Sequence, residues 1–123
     1  MGKRLSNDGR NAIVDALATG KDISVDEGAV GDGTSSASVG DASLENELAR
    51  FATDDRRRAT GVGQSSWTVP ATSAVDGEDL TEAALQIDPS GDDIMLGRIV
   101  YAETPKQNGT RLEYEVDITV RNP

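Results

Sequence analysis

At 123 residues and 12.9 kDa the chain has the length of one domain, and it carries a formal charge of −10 with a pI near 4.3. That field repels nucleic-acid phosphates and anionic lipid, so neither is expected as a general partner. The chain has no cysteine and no histidine, which excludes disulfides, thiolate metal sites, cysteine nucleophiles and the common catalytic triads.

No apolar run approaches the ~20 residues of a membrane span, so no membrane insertion is expected. The opening MGKRLSNDGRNAI has a basic dipeptide but no apolar stretch behind it, which argues against a secretory signal. Work outside the cell would then require release by a route such as lysis. Aromatics are 3% of the chain (Phe51, Trp67, Tyr101 and Tyr114), so Val, Ile, Leu and Ala must fill the core.

In chain order, Ser6–Lys21 reads as a helix. Ser6 or Asn7 can cap it, Asp8 lies in the first turn where an anion is favoured, and Gly20 is placed as a stop. Ala12, Ile13, Ala16 and Leu17 form its apolar stripe. Ile23 and Val25 alternate as a strand that continues to Ala29 and Val30, interrupted by a turn or bulge at Asp26-Glu27-Gly28. A glycine-punctuated turn and a Ser/Gly loop follow. Asp41 then caps a predicted second helix that places Leu44, Leu48 and Phe51 on one face, ready to seat on the sheet or on a neighbouring subunit.

Residues 53–66 are polar, with Arg56, Arg57 and Arg58 in a row. The texture then changes to strands: Trp67–Val69 before Pro70, then Leu80–Ile87, which reads as a strand or alternatively a helical turn, then the apolar run Ile94–Ala102. Asp88–Gly91 is a turn, and Asn108-Gly109 is a hairpin signal. In the final strand Leu112, Tyr114, Val116, Ile118 and Val120 alternate with Arg111, Glu113, Glu115, Asp117, Thr119 and Arg121, as in a half-buried antiparallel strand. The expected fold is α+β: a single domain over 1–123, with two short helices in a helical and turn half (1–58). A β-rich half (59–123) supplies most of an antiparallel, β-sandwich-like sheet of about four or five strands.

Candidate sites are few. Gly28–Ser35 has the glycine spacing of a phosphate loop, but Thr34 stands where that loop needs lysine and Asp32 adds repulsion. A plain turn with positive-φ glycines is the preferred reading. Asp88, Asp92 and Asp93 could touch a hydrated cation, although their spacing is not that of a calcium loop and a solvated turn accounts for them. The pairs Glu45/Glu47 and Glu113/Glu115 read as surface solvation. The Arg56–Arg58 island either pairs with Asp54 and Asp55 or forms a subunit contact. No catalytic or cofactor-binding residue is assigned, and the chain is read as a non-enzyme. The interaction candidates are Leu44, Leu48, Phe51, Arg56, Arg57 and Arg58.

One ordered set of motifs goes further. Ala29-Val30-Gly31-Asp32-Gly33-Thr34 is followed by Asp41, Leu44, Glu47 and Arg50. Next come Leu80-Thr81-Glu82-Ala83 with Leu85, then Leu96, Arg98-Ile99-Val100-Tyr101 and Lys106, and the alternating last strand closes the series. From about Asn11 to Val120 the chain resembles a family of small tail-associated structural proteins of tailed bacteriophages, often labelled tail fibre or tail protein. Two departures stand out: Ala84 occupies a position where those proteins carry glycine, and Asp26-Glu27 breaks the strand before the glycine turn.

The acidic surface, with nine arginines and only three lysines, also resembles proteins of extreme halophiles. Carboxylates hold water and hydrated cations at molar salt, and salt of that strength screens self-repulsion to within about 3 Å. Together the resemblances imply a virion protein of a tailed haloarchaeal virus, made in the host cytoplasm. It would be a tail-fibre, baseplate or tail-tip component, with a capsid turret or decoration as the alternative. The implied partners are its own copies (a trimer is one option), other virion proteins and a host surface, with no cofactor. A reading of another class is a cellular module that binds a cation or glycan.

Overall fold

The computed structural model describes residues 3–20, 23–87 and 93–119. The fold is α+β; the described residues form one short helix and two antiparallel sheets in a β-sandwich-like arrangement. Strand β1 (Lys3–Leu5) leads into helix α1 (Asn7–Thr19), and among the described residues seven strands follow. They are β2 (Val25–Gly31), β3 (Glu47–Ala52), β4 (Asp55–Ala59), β5 (Val62–Val69), β6 (Asp79–Ile87), β7 (Ile94–Pro105) and β8 (Leu112–Thr119). The larger sheet has the order β1-β7-β6-β2-β3 and the smaller β4-β5-β8.

The helix forms where its caps place it. Ser6 Oγ accepts from the Gly9 N–H (2.8 Å), and Gly20 closes the far end at φ 74°. Gly9 is there for proximity, because a Cβ would sit 2.8 Å from the Leu96 Cα on β7. The helix docks only by its first half: Ala12 is buried, whereas Leu17, expected on the apolar stripe, is 83% exposed.

The predicted second helix does not form. Leu44 lies buried in a loop, and Leu48 and Phe51 lie half-buried in β3. Glu-Leu-Ala-Arg-Phe-Ala is helix-favouring by composition, but β2 offers an open edge, and pairing Gly28 with Phe51 and Ala29 with Arg50 makes the backbone bonds a helix would otherwise supply. The first half of the chain therefore contributes β1, β2, β3 and most of β4 as well as the helix. The disruption expected at Asp26-Glu27 is a register shift between Val25 and Glu27 against β6.

Two turns also exchange roles. The two-residue hairpin lies at Thr60-Gly61, where Ala59 pairs with Val62 and Gly61 takes φ 73°. Asn108-Gly109 makes no hairpin, because β7 and β8 belong to different sheets. There the chain crosses the sandwich, and the Gly109 N–H anchors the crossing on the Ala71 carbonyl at 2.7 Å.

The core lies between the sheets. Trp67 (0% exposed) stacks on Tyr114 at 4.9 Å and lies against β2, where a Cβ on Gly28 would overlap the indole ring. Val30, Val69, Val75, Leu80, Ala83, Leu85 and Ile87 complete this layer. A second small cluster (Ala29, Leu44, Ala84 and Met95) brings the buried loop residue Leu44 together with β2, β6 and β7. From Leu112 to Thr119 β8 alternates half-buried and exposed, as its sequence predicts; Val120 and Arg121, expected to continue the pattern, lie outside the described residues.

Candidate functional site

The buried polar chemistry centres on Glu82 of β6 and Arg98 of β7, 0% and 2% exposed. Arg98 pairs in register with Ala84, two residues from Glu82 on the same face, so the two side chains meet diagonally across the strands. Glu82 Oε1 accepts from Arg98 Nε at 2.7 Å and from the Glu45 N–H at 2.8 Å. Oε2 accepts from the N–H groups of Gly33 and Asn46, each at 2.8 Å. Four donors thus fill the carboxylate. Thr81 Oγ1 adds a bond to the Gly33 carbonyl at 2.7 Å, and Arg98 Nη1 reaches the Ser36 carbonyl (3.4 Å) and Asp41 (3.6 Å).

Together these contacts strap the 32–46 loop onto the five-stranded sheet. Burial pushes the Glu82 carboxyl up, but Arg98 and the amides of Asn46, Glu45 and Gly33 outweigh it and hold the group below its ordinary range. Its donors are all internal, so it serves as an anchor.

That geometry also explains the glycine-rich stretch. Gly31 ends β2, and neither Gly31 nor Gly33 takes the positive φ expected of a turn glycine. Both permit close approach instead: a Cβ on either would lie 2.7 or 2.6 Å from Glu82 Oε2. The Gly33 amide, which a phosphate loop would turn on its ligand, is given to the chain's own carboxylate.

The other expected sites divide as follows. Asp93 binds Arg50 (2.7 Å) and accepts from Gln86 (3.0 Å), and the Arg50 guanidinium holds its carboxyl below the ordinary range. Asp88 and Asp92 lie outside the described residues. Among the described residues no cluster of three metal-ligating side chains occurs. Glu47 pairs with Arg50, Glu113 with Arg111, and Glu45 accepts from Thr34 and Ser35. Arg57 pairs with Asp55 at 2.6 Å, whereas Arg56 and Arg58 have no ion-pair partner among the described residues. Leu44, Leu48 and Phe51 are committed to the fold and present no helical docking face.

Residue type alone did not mark the Lys106 anchor. Its fully buried ammonium donates to the carbonyls of Ala71 (3.1 Å) and Gln107 (2.8 Å) and to Asp76. Lys106→Met should cost about 2 kcal/mol, the usual scale for hydrogen bonds from a charged donor, and should loosen the 71–77 segment in hydrogen exchange. Wild-type protection at those amides would contradict this role.

A groove of about 420 Å³ opens between the sheets beside β8. One wall is Leu85, Leu96 and Ile99 with Leu5 of β1, and the other is Tyr114, Val116 and Ile118. The Tyr101 and Tyr114 hydroxyls meet within it at 2.5 Å, and burial pushes the Tyr101 phenol up. No family model, no curated protein and no solved structure matches the chain.

Proposed function

We propose that the protein is a virion structural subunit of a halophilic tailed virus, a tail-fibre, baseplate or tail-tip component that works as a homo-oligomer. The observation that carries this reading is the three-stranded sheet, whose outer strands β4 and β8 each pair on one side only among the described residues. Such edges are templates for further pairing. The ordered motifs from Ala29 to the last strand add support, as does the use of Glu82, Arg98, Asp76 and Lys106 to lock loops in place.

Static light scattering at molar salt should give a mass well above one chain, and labelling microscopy of purified particles should place the protein on the tail. Labelling on the capsid would favour a turret or decoration role. A monodisperse monomer that never enters particles would end the proposal. Lowering salt to physiological strength should loosen the fold as the charge of −10 becomes unscreened. A circular-dichroism salt series with no change would contradict the halophilic part of the reading.

A further inference from the structure

We infer that the subunits join head to tail, with β4 of one copy adding to the open edge of β8 of the next and its inner side chains covering the groove. The inference rests on the self-association proposed above and names the surface responsible.

Three observations converge on it. First, β4 and β8 are the two ends of one sheet, and among the described residues each pairs only with β5. Second, their charges are opposite. β4 is Asp-Arg-Arg-Arg-Ala, exposed throughout, while Leu112–Thr119 carries Glu113, Glu115 and Asp117 and no cation. Third, the apolar groove lies beside the β8 edge, so a strand added there meets both an unpaired backbone and an unfilled core.

The charge pattern also rejects the alternatives. A two-fold pairing of β4 with β4 would oppose arginines to arginines, and β8 with β8 would oppose carboxylates to carboxylates. Only the mixed pairing is matched, so the sequence disfavours symmetric edge contacts while permitting the heterologous one. Contacts of that type close into a ring or propagate as a filament.

The faces are consistent with this arrangement. Across β5, Arg57 shares the outer face with Gln64 and Asp117, and Arg56 and Arg58 share the inner face with Ser65, Gly63, Val116 and Ile118. If the sheet continues into the next copy, Arg57 of the arriving strand falls beside the outer carboxylates of β8. Arg56 and Arg58 fall over the groove, where their aliphatic stems cover Val116 and Ile118 and their guanidinium groups reach Tyr114 or the solvent rim. This supplies a role for the two arginines that lack an ion-pair partner within the described chain.

The test uses two charge-reversed chains. One carries Arg56→Glu, Arg57→Glu and Arg58→Glu; the other carries Glu113→Lys, Glu115→Lys and Asp117→Lys. All six side chains are exposed, so both should fold, which circular dichroism and the emission of the single Trp67 will verify. In light scattering, wild type should show the oligomer mass and each variant alone the monomer mass. An equimolar mixture should recover assembly, because each reversed edge then finds a complementary one on the other chain. Folded variants that keep the wild-type mass, or a mixture that stays monomeric, would overturn this interface while leaving self-association standing. A monomeric wild type at every concentration would remove both.

Discussion

Glu82→Gln should lower the stability of the protein by about 3–5 kcal/mol, the scale for breaking a buried ion pair from one side. The carboxylate accepts four hydrogen bonds, and an amide can offer only one oxygen to them. Its NH2 group would face Arg98 or a backbone N–H, donor against donor, and Arg98 would keep a buried charge without its counter-ion. Urea denaturation followed by Trp67 fluorescence measures the loss; a change below about 1 kcal/mol would show that the knot is not the anchor described.

A second variant separates this knot from an ordinary buried ion pair. Replacing both partners of such a pair by apolar residues is often neutral. Here Glu82→Leu with Arg98→Leu should remain strongly destabilising, because the amides of Gly33, Glu45 and Asn46 would lose their acceptor.

The same site sets a pH dependence. The Glu82 carboxyl is depressed in the folded state, as are those of Asp76 beside Lys106 and Asp93 beside Arg50. A group whose folded pKa lies below its unfolded value contributes its full stabilisation above the unfolded value, near 4 for carboxylates, and loses it as pH falls through the folded one. The midpoint of urea unfolding should therefore hold steady from pH 7 to about 5 and fall steeply below about 4. In Glu82→Gln the acid slope should be shallower.

The second large effect lies at the contact between β2 and β5. Trp67→Ala should cost about 3–5 kcal/mol, since the indole is fully buried, stacks on Tyr114 and fills the space over Gly28. Gly28→Ala should cost about 1–3 kcal/mol by overpacking, because the new methyl has to displace the ring. In the Trp67→Ala background that cost should vanish, so the double-mutant cycle should show a coupling of about 1–3 kcal/mol. Additive losses would mean that Gly28 is required for a backbone reason unrelated to the ring.

Several expected elements with local signals formed where the sequence placed them, although the Asn108-Gly109 hairpin and the second helix did not. The Ser6 cap and the Gly20 stop bound α1, the alternation of Leu112 to Ile118 gives β8, and the apolar run gives β7, whereas Leu80–Ile87, open between strand and helical turn in sequence, is the strand β6. The segment containing Leu44, Leu48 and Phe51 carried a helical period that matched no helix. Its N–H groups at residues 45 and 46 had a better acceptor in Glu82, some 37 and 36 residues away in sequence, and its strand had a partner in β2. Neither fact is visible in a window of a dozen residues. The basic island at 56–58 was legible as an unusual cluster; that it forms an open sheet edge, with β8 as the opposite edge, was not.

The sequence by itself thus determined the acidic surface, the exclusion of thiol and histidine chemistry, the α+β class and the elements specified by caps and strict alternation. All of these depend on composition or on neighbours a few residues apart. The tertiary structure alone decided the fate of the glycine-rich stretch, the role of Glu82 and Arg98, the division into two sheets and the groove between them. Each of these depends on which distant backbone group finds a partner first and which edge is left without one, and that competition is settled by long-range pairing and burial.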